Sequence, residues 1–128
     1  MPYGKKYSMS KLIRVAHLTS VHKRYDTRIF LKQCVSLAKN KKYFVTLIVA
    51  DGKGNETLKN VQIIDVGKEK GRLSRFIFSN KKIFLKALNL NCDIYHLHDP
   101  ELIPFGLKLK NKNKKVIFDS HEDITEDI

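Results

Sequence analysis

Residues 43–50 read YFVTLIVA, apolar at every position but Thr46 and β-branched at Val45, Thr46, Ile48 and Val49. A run of this length that is apolar at both alternating positions describes a strand covered on both faces. A parallel sheet packed between helices needs such strands. Outward from it the pattern alternates. Upstream, 12–18 (LIRVAHL) is a short β-rich run and 19–26 a polar loop. Residues 27–39 place Ile29, Phe30, Cys34, Leu37 and Ala38 on one helical face. Asp26 or Thr27 suits the N-cap, and Lys39, Lys41 and Lys42 suit the end where cations meet the helix dipole.

Downstream, 51–55 (DGKGN) is turn chemistry, 61–66 (VQIIDV) a third strand and 67–71 a charged loop. Residues 72–90 form an amphipathic helix with Leu73, Phe76, Ile77, Ile83, Phe84, Ala87 and Leu88 on its apolar face. Arg72, Arg75, Lys82 and Lys86 lie opposite, with Phe78 and Leu85 beside that basic stripe. A fourth strand follows at 93–97 (DIYHL), then a helix from Asp99 or Pro100 whose early turns Pro104 distorts, then a fifth strand at 115–119 (KVIFD). The expected fold is α/β: a Rossmann-like, doubly wound, mostly parallel sheet of about five strands with right-handed crossovers. Only residues 51–60 separate the second and third strands, which fits either a short crossover or a local antiparallel pair.

The 128 residues suit one domain, here a polar extension over 1–10 and a domain from 11 onward. With 42% hydrophobic and 30% charged residues, the composition is globular rather than disordered. No apolar run approaches the ~20 residues of a membrane span, and 1–10 lacks the apolar centre of a signal peptide. Cys34 and Cys92 form no motif and read as small buried hydrophobes. The chain therefore reads as cytoplasmic.

The net charge of +12 is concentrated: 20 of the 25 Lys and Arg fall in 1–92, against 5 of the 13 acids. A basic body attracts polyanions. No nucleic-acid module is present and aromatics do not interleave with the basic residues, so nucleic acid is not an expected partner. The stripe at Arg72, Arg75, Lys82 and Lys86 suits an anionic membrane surface better than nucleic acid, but a solvated helix face is the preferred reading.

In an open parallel sheet, ligands bind outside the carboxyl ends of the strands. His22, Arg24, Asp26 and Arg28 follow the first strand; His98, Asp99 and Glu101 the fourth; Ser120, His121, Glu122 and Asp123 the fifth. All three sets converge on one rim. No Gly-rich phosphate loop follows the first strand. His96 and His98 share a strand face, but spacing fixes no third ligand, so no metal site is assigned.

Three segments carry a family resemblance: HLTSVHKRYDTRIFLKQCVSLAKN at 17–40, DIYHLHDPELIPFGLKLK at 93–110 and KKVIFDSHED at 114–123. In this order they resemble the N-terminal domain of bacterial family-4 glycosyltransferases of the GT-B fold, which build lipopolysaccharide O-antigen or capsular polysaccharide. VTLIVADGKGNE at 45–56 and NVQIIDVG at 60–67 are similar too, and the likeness runs from Lys11 to Asp123. The resemblance implies two Rossmann-like domains, the first binding a sugar or lipid-linked saccharide acceptor. The second binds a nucleotide-sugar donor without a metal, and transfer retains the anomeric configuration. His121 matches the histidine that faces the donor sugar. The 22–28 loop and the turn at 98–101 match cleft-lining positions.

Asp99 or Glu101 would then orient an acceptor hydroxyl, and Arg24 and Arg28 would grip an acceptor phosphate. Asp26 suits the N-cap better than the cleft, and Arg28 equally reads as a helix-surface charge. The chain ends at Ile128, so the donor domain is expected to be missing and the fragment inactive alone. A non-catalytic module that joins a partner transferase or an anionic membrane is the alternative, with the inner face of the plasma membrane as its place.

Overall fold

A computed structural model describes residues 12–119. Six strands form one sheet: β1 (Ile13–Leu18), β2 (Tyr43–Val49), β3 (Glu56–Leu58), β4 (Val61–Asp65), β5 (Ile94–Leu97) and β6 (Lys115–Phe118). Their order is β3-β4-β2-β1-β5-β6, and every neighbouring pair is parallel except β3 with β4. Three helices connect them: α1 over 27–38, α2 over 72–90 and α3 over 100–110. The fold is α/β and Rossmann-like, as the alternation of patterns implies.

The helices cover both faces. Ile29, Phe30, Cys34 and Ala38 of α1 pack on Val45, Leu47, Val49, Val61 and Ile63. On the other face, Ile83, Phe84 and Ala87 of α2 and Leu102 and Leu109 of α3 pack on Ala16, Leu18, Ile48, Tyr95 and Leu97. The β2 run is apolar throughout because both of its faces meet a helix. Cys34 and Cys92 are free and buried, and they belong to opposite cores. The α3 backbone lies so close to β5 that a Cβ on Gly106 would come within 2.8 Å of Leu97 Cδ2.

Asp26 caps α1, accepting from the backbone N–H of Arg28 and of Ile29, both at 2.9 Å. α2 ends at Asn91 in the left-handed region, φ 50°, a conformation Asn tolerates better than most residues.

Two expectations need correction. The sheet has six strands, because the 51–60 connection holds both of the arrangements its length allowed. β2 and β4 are parallel, and β3 turns back antiparallel on β4. The turn is Lys59–Asn60, with φ of 51° and 66°, so both central residues adopt the positive φ of a type I′ hairpin. No glycine marks it.

The second correction concerns α2. Leu73, Phe76 and Ile77 do not face the core: they are 72%, 55% and 47% exposed. Ser79 and Asn80 are buried instead. Residues Arg75–Ser79 follow a wider π-type turn. More residues per turn shift the phase of every side chain before it relative to those after. The regular face resumes at Ile83, Phe84 and Ala87. Among the described residues, no helix is long and apolar enough to cross a membrane.

Candidate functional site

Strand order reverses between β1 and β5, since β1 leads by way of α1 to β2 on one side while β5 and β6 lie on the other. Adjacent loops diverge at such a point and leave a crevice at the carboxyl ends. Thr19, Ser20 and His22 enter it after β1, and His98, Asp99 and Glu101 after β5.

Asp99 organises this crevice. Its side chain is 2% exposed. Oδ2 accepts from the Thr19 hydroxyl at 2.8 Å and the Ser20 backbone N–H at 2.7 Å. Oδ1 lies 2.8 Å from His22 Nδ1. A carboxylate this close to Nδ1, with the Thr19 hydroxyl oxygen 3.1 Å from the same nitrogen, favours the ring proton there. Ser20 Oγ donates to Glu101 Oε2 at 2.6 Å, and Arg75 of α2 donates to Glu101 Oε1 at 3.0 Å. Burial pushes the Glu101 carboxyl up, but the bonds from Arg75 and Ser20 outweigh it and hold the group below its ordinary value.

Beside this network lies a hollow of about 430 Å³. Its lining comes from the loops after β1, β2 and β4 and includes His22, Lys23, Lys53, Lys68 and Arg75. Its floor is set by Arg24, whose side chain is 4% exposed. The guanidinium grips Asp51 through two bonds, at 2.8 and 2.7 Å, and reaches Glu56 at 2.9 Å and the Gly54 carbonyl at 2.6 Å. Hydrogen bonding to Asp51 raises the Arg24 pKa and lowers that of Asp51. The Tyr25 hydroxyl and then Arg24 hold Glu56 below its usual range. Asp65 pins the same loop from below, accepting from the backbone N–H groups of Asp51, Gly52, Gly54 and Gly67.

The rim residues read from the sequence therefore separate by role. His22, Glu101 and Arg75 stand at the crevice. Arg28 is exposed and, with Asp26, lines a second hollow beside His22. Asp26 serves as the α1 cap. Arg24 reaches the hollow but is neutralised by Asp51 and Glu56, so it is not a free grip for phosphate. His98 does not line the cleft: its ring is fully buried. Asp99, also buried, acts through His22 and Ser20. Of the basic stripe, Arg75 is tied to Glu101 and Lys82 to Glu69. Ser120, His121, Glu122 and Asp123 lie outside the described residues.

Sequence reading missed Thr19, Ser20, Asp51, Glu56 and the lysines Lys53 and Lys68. The available signal for the lysines was position: each sits just past the carboxyl end of a strand. It also missed His17, whose imidazole is 2% exposed. Burial, then the neighbouring His96, push its pKa down to about 3, so the ring is neutral.

No family model matches the chain, and no curated protein matches it either.

Proposed function

We propose that this chain is the acceptor-side domain of a retaining glycosyltransferase. The enzyme moves a sugar from a nucleotide-sugar donor to a saccharide or lipid-linked saccharide acceptor of surface polysaccharide. The observation that carries the reading is the crevice between β1 and β5, where Asp99 lies against His22 beside a hollow whose lining holds Lys23, Lys53 and Lys68 together with Asp51 and Glu69. In it the acceptor hydroxyl meets the His22 imidazole, while Lys23, Lys53 and Lys68 attract an acceptor phosphate. The motif likeness supplies the remaining roles. By that likeness His121 is the histidine that acts at the donor sugar, and a second domain holds the donor diphosphate without a metal.

The test is transfer from a nucleotide sugar by this domain joined to a donor domain of the same family. His121→Ala is expected to lose turnover at least 100-fold with an unchanged circular dichroism spectrum, in line with removal of a group acting on the reacting atoms. Turnover equal to the parent would remove His121 from the mechanism.

A second reading, contact with an anionic membrane from the cytoplasmic side, is favoured by one observation. Leu73, Phe76, Ile77 and Phe78 are all 47% or more exposed at the start of α2, next to Arg72 and Lys81. Amphipathic helix starts of this kind insert apolar side chains at the headgroup boundary while cations meet anionic lipid. In vesicle sedimentation, the chain is expected to bind phosphatidylglycerol liposomes and release with salt. Phe76→Ser with Phe78→Ser should weaken binding by several hundredfold, since each buried Phe contributes roughly 2 kcal/mol and about 1.4 kcal/mol is tenfold. Equal binding to neutral vesicles, or no effect of the double change, rejects the membrane contact.

A further inference from the structure

Beneath the rim, on the face that α1 covers, three imidazoles gather where β1 and β5 run side by side. His17 and His96 are register partners across the two strands. His98 lies two residues on and shares their face. One ring nitrogen from each lies within 4.8 Å of the others. His17 Nδ1 and His98 Nε2 are 2.8 Å apart in rings inclined by only 14°. Stacked rings cannot bring atoms that close, so these two meet edge to edge through a shared proton. Asp119 stands on the open side, with Oδ2 3.6 Å from His96 Nε2 and held by Gln33 Nε2 at 2.9 Å.

The surroundings are not those of inert core histidines. His17, Gln33 and His96 line a groove of about 280 Å³. Two of its buried polar atoms, His17 Nε2 and Gln33 Oε1, have no hydrogen-bond partner among the described residues. Buried polar atoms left this way are uncommon, and they mark this groove as polar rather than as packed apolar core.

We propose that His17, His96 and His98, with Asp119 as the fourth ligand, form a binding site for one divalent ion of the zinc class. Neutral imidazoles with one carboxylate make a borderline donor set, suited to zinc, cobalt or nickel rather than magnesium or calcium. Tetrahedral zinc with Zn–N bonds of about 2.0–2.1 Å sets its donor atoms roughly 3.3 Å apart. His17 and His98 are closer than that value at 2.8 Å, His96 and Asp119 are near it at 3.6 Å, and the three imidazole nitrogens lie within 4.8 Å of one another, so ring rotations must draw the set together on binding. On binding, the proton shared by His17 and His98 moves to the other nitrogen of its own ring, and both facing lone pairs turn to the ion. Four protein ligands leave no open position, so the ion is structural. It ties β1 to β5 and to the end of β6 directly below the Asp99–His22 pair, whatever reaction the crevice serves.

The experiment titrates zinc chloride into tag-free, metal-stripped chain at pH 7.5. The expected result is one ion per chain and a melting temperature raised by roughly 5–10 °C at saturating ion. Cobalt in its place should give the intense visible bands of a tetrahedral ion. His96→Ala should lose both effects, and Asp119→Asn should weaken binding about tenfold or more. His96 is partly exposed, so its removal is tolerated better than that of His17 or His98. Should His96→Ala nevertheless fail to fold, the cobalt spectrum of the parent chain decides. Weak octahedral bands, no binding, or binding that survives His96→Ala and disappears with His22→Ala would each overturn the proposal.

Discussion

Arg24→Met is expected to destabilise the fold by roughly 3 kcal/mol. The guanidinium lies between three acceptors on the 51–56 segment: the carboxylates of Asp51 and Glu56 and the carbonyl of Gly54. Methionine keeps most of the stem's packing, so the change isolates the charge. It leaves two carboxylates facing each other across a site from which their cation has gone. Asp51 and Glu56 are 21% and 33% exposed. Water therefore recovers part of their solvation, which places the loss at the lower end of the range for broken buried pairs. Urea unfolding at pH 7 measures it. Adding Asp51→Asn and Glu56→Gln should restore part of the loss, because the uncompensated charges are then removed as well. A midpoint within error of the parent's would show that the three acceptors are solvated independently of Arg24.

The second large effect is at Asp99. Asp99→Ala removes the acceptor for the Ser20 backbone N–H and the Thr19 hydroxyl and the counterpart of His22 Nδ1. The first two donors are buried, and each buried donor left unpaired costs about 1–3 kcal/mol. A loss of roughly 3 kcal/mol is expected in urea unfolding. Asp99→Asn keeps one acceptor oxygen and should cost about half as much. The functional readout is separate. Nitrogen-15 spectra of the His22 ring should show the Nδ1–H tautomer in the parent and a mixture in Asp99→Asn, because the amide no longer selects one form. An unchanged tautomer would mean that Asp99 braces the loop without orienting the ring. In the proposed enzyme that variant should lose transfer rate with little change in acceptor affinity.

The class of fold was legible in the chain because strand and helix are written in different periods. YFVTLIVA at 43–50 is apolar in every register, so it had to be covered twice. The helix at 27–38 carries its apolar residues at helical spacing above an Asp cap. Parallel pairing follows from helix-length connections between strands. The hairpin strand β3 was not legible. It is three residues long and turns on Lys59–Asn60, where no glycine announces positive φ. Nor was the orientation of α2. Periodicity analysis assumes one constant turn; a wider turn occurs at Thr27–Val35, where the apolar face still meets the sheet, and at Arg75–Ser79, where Phe76 and Ile77 face outward.

The site divides along the same line. That polar residues cluster after the first and fourth strands is a statement about chain order, and chain order together with the parallel topology brings them to one rim. Which of them is free to act is a statement about burial and partners. Arg24, His98 and Asp99 look alike with His22 in the sequence, as polar residues in loops. Packing makes Arg24 the hub of an ion pair with Asp51, 27 residues away, and puts His98 in contact with His17, 81 residues away. The amino-acid sequence by itself determined the alternation of strand and helix and the edge of the sheet where chemistry collects, since both arise from local patterns of polarity. Only the tertiary structure decided which charged groups face the crevice and which are consumed beneath it. Hydrogen bonds and burial between distant segments set that division, and no local pattern records them.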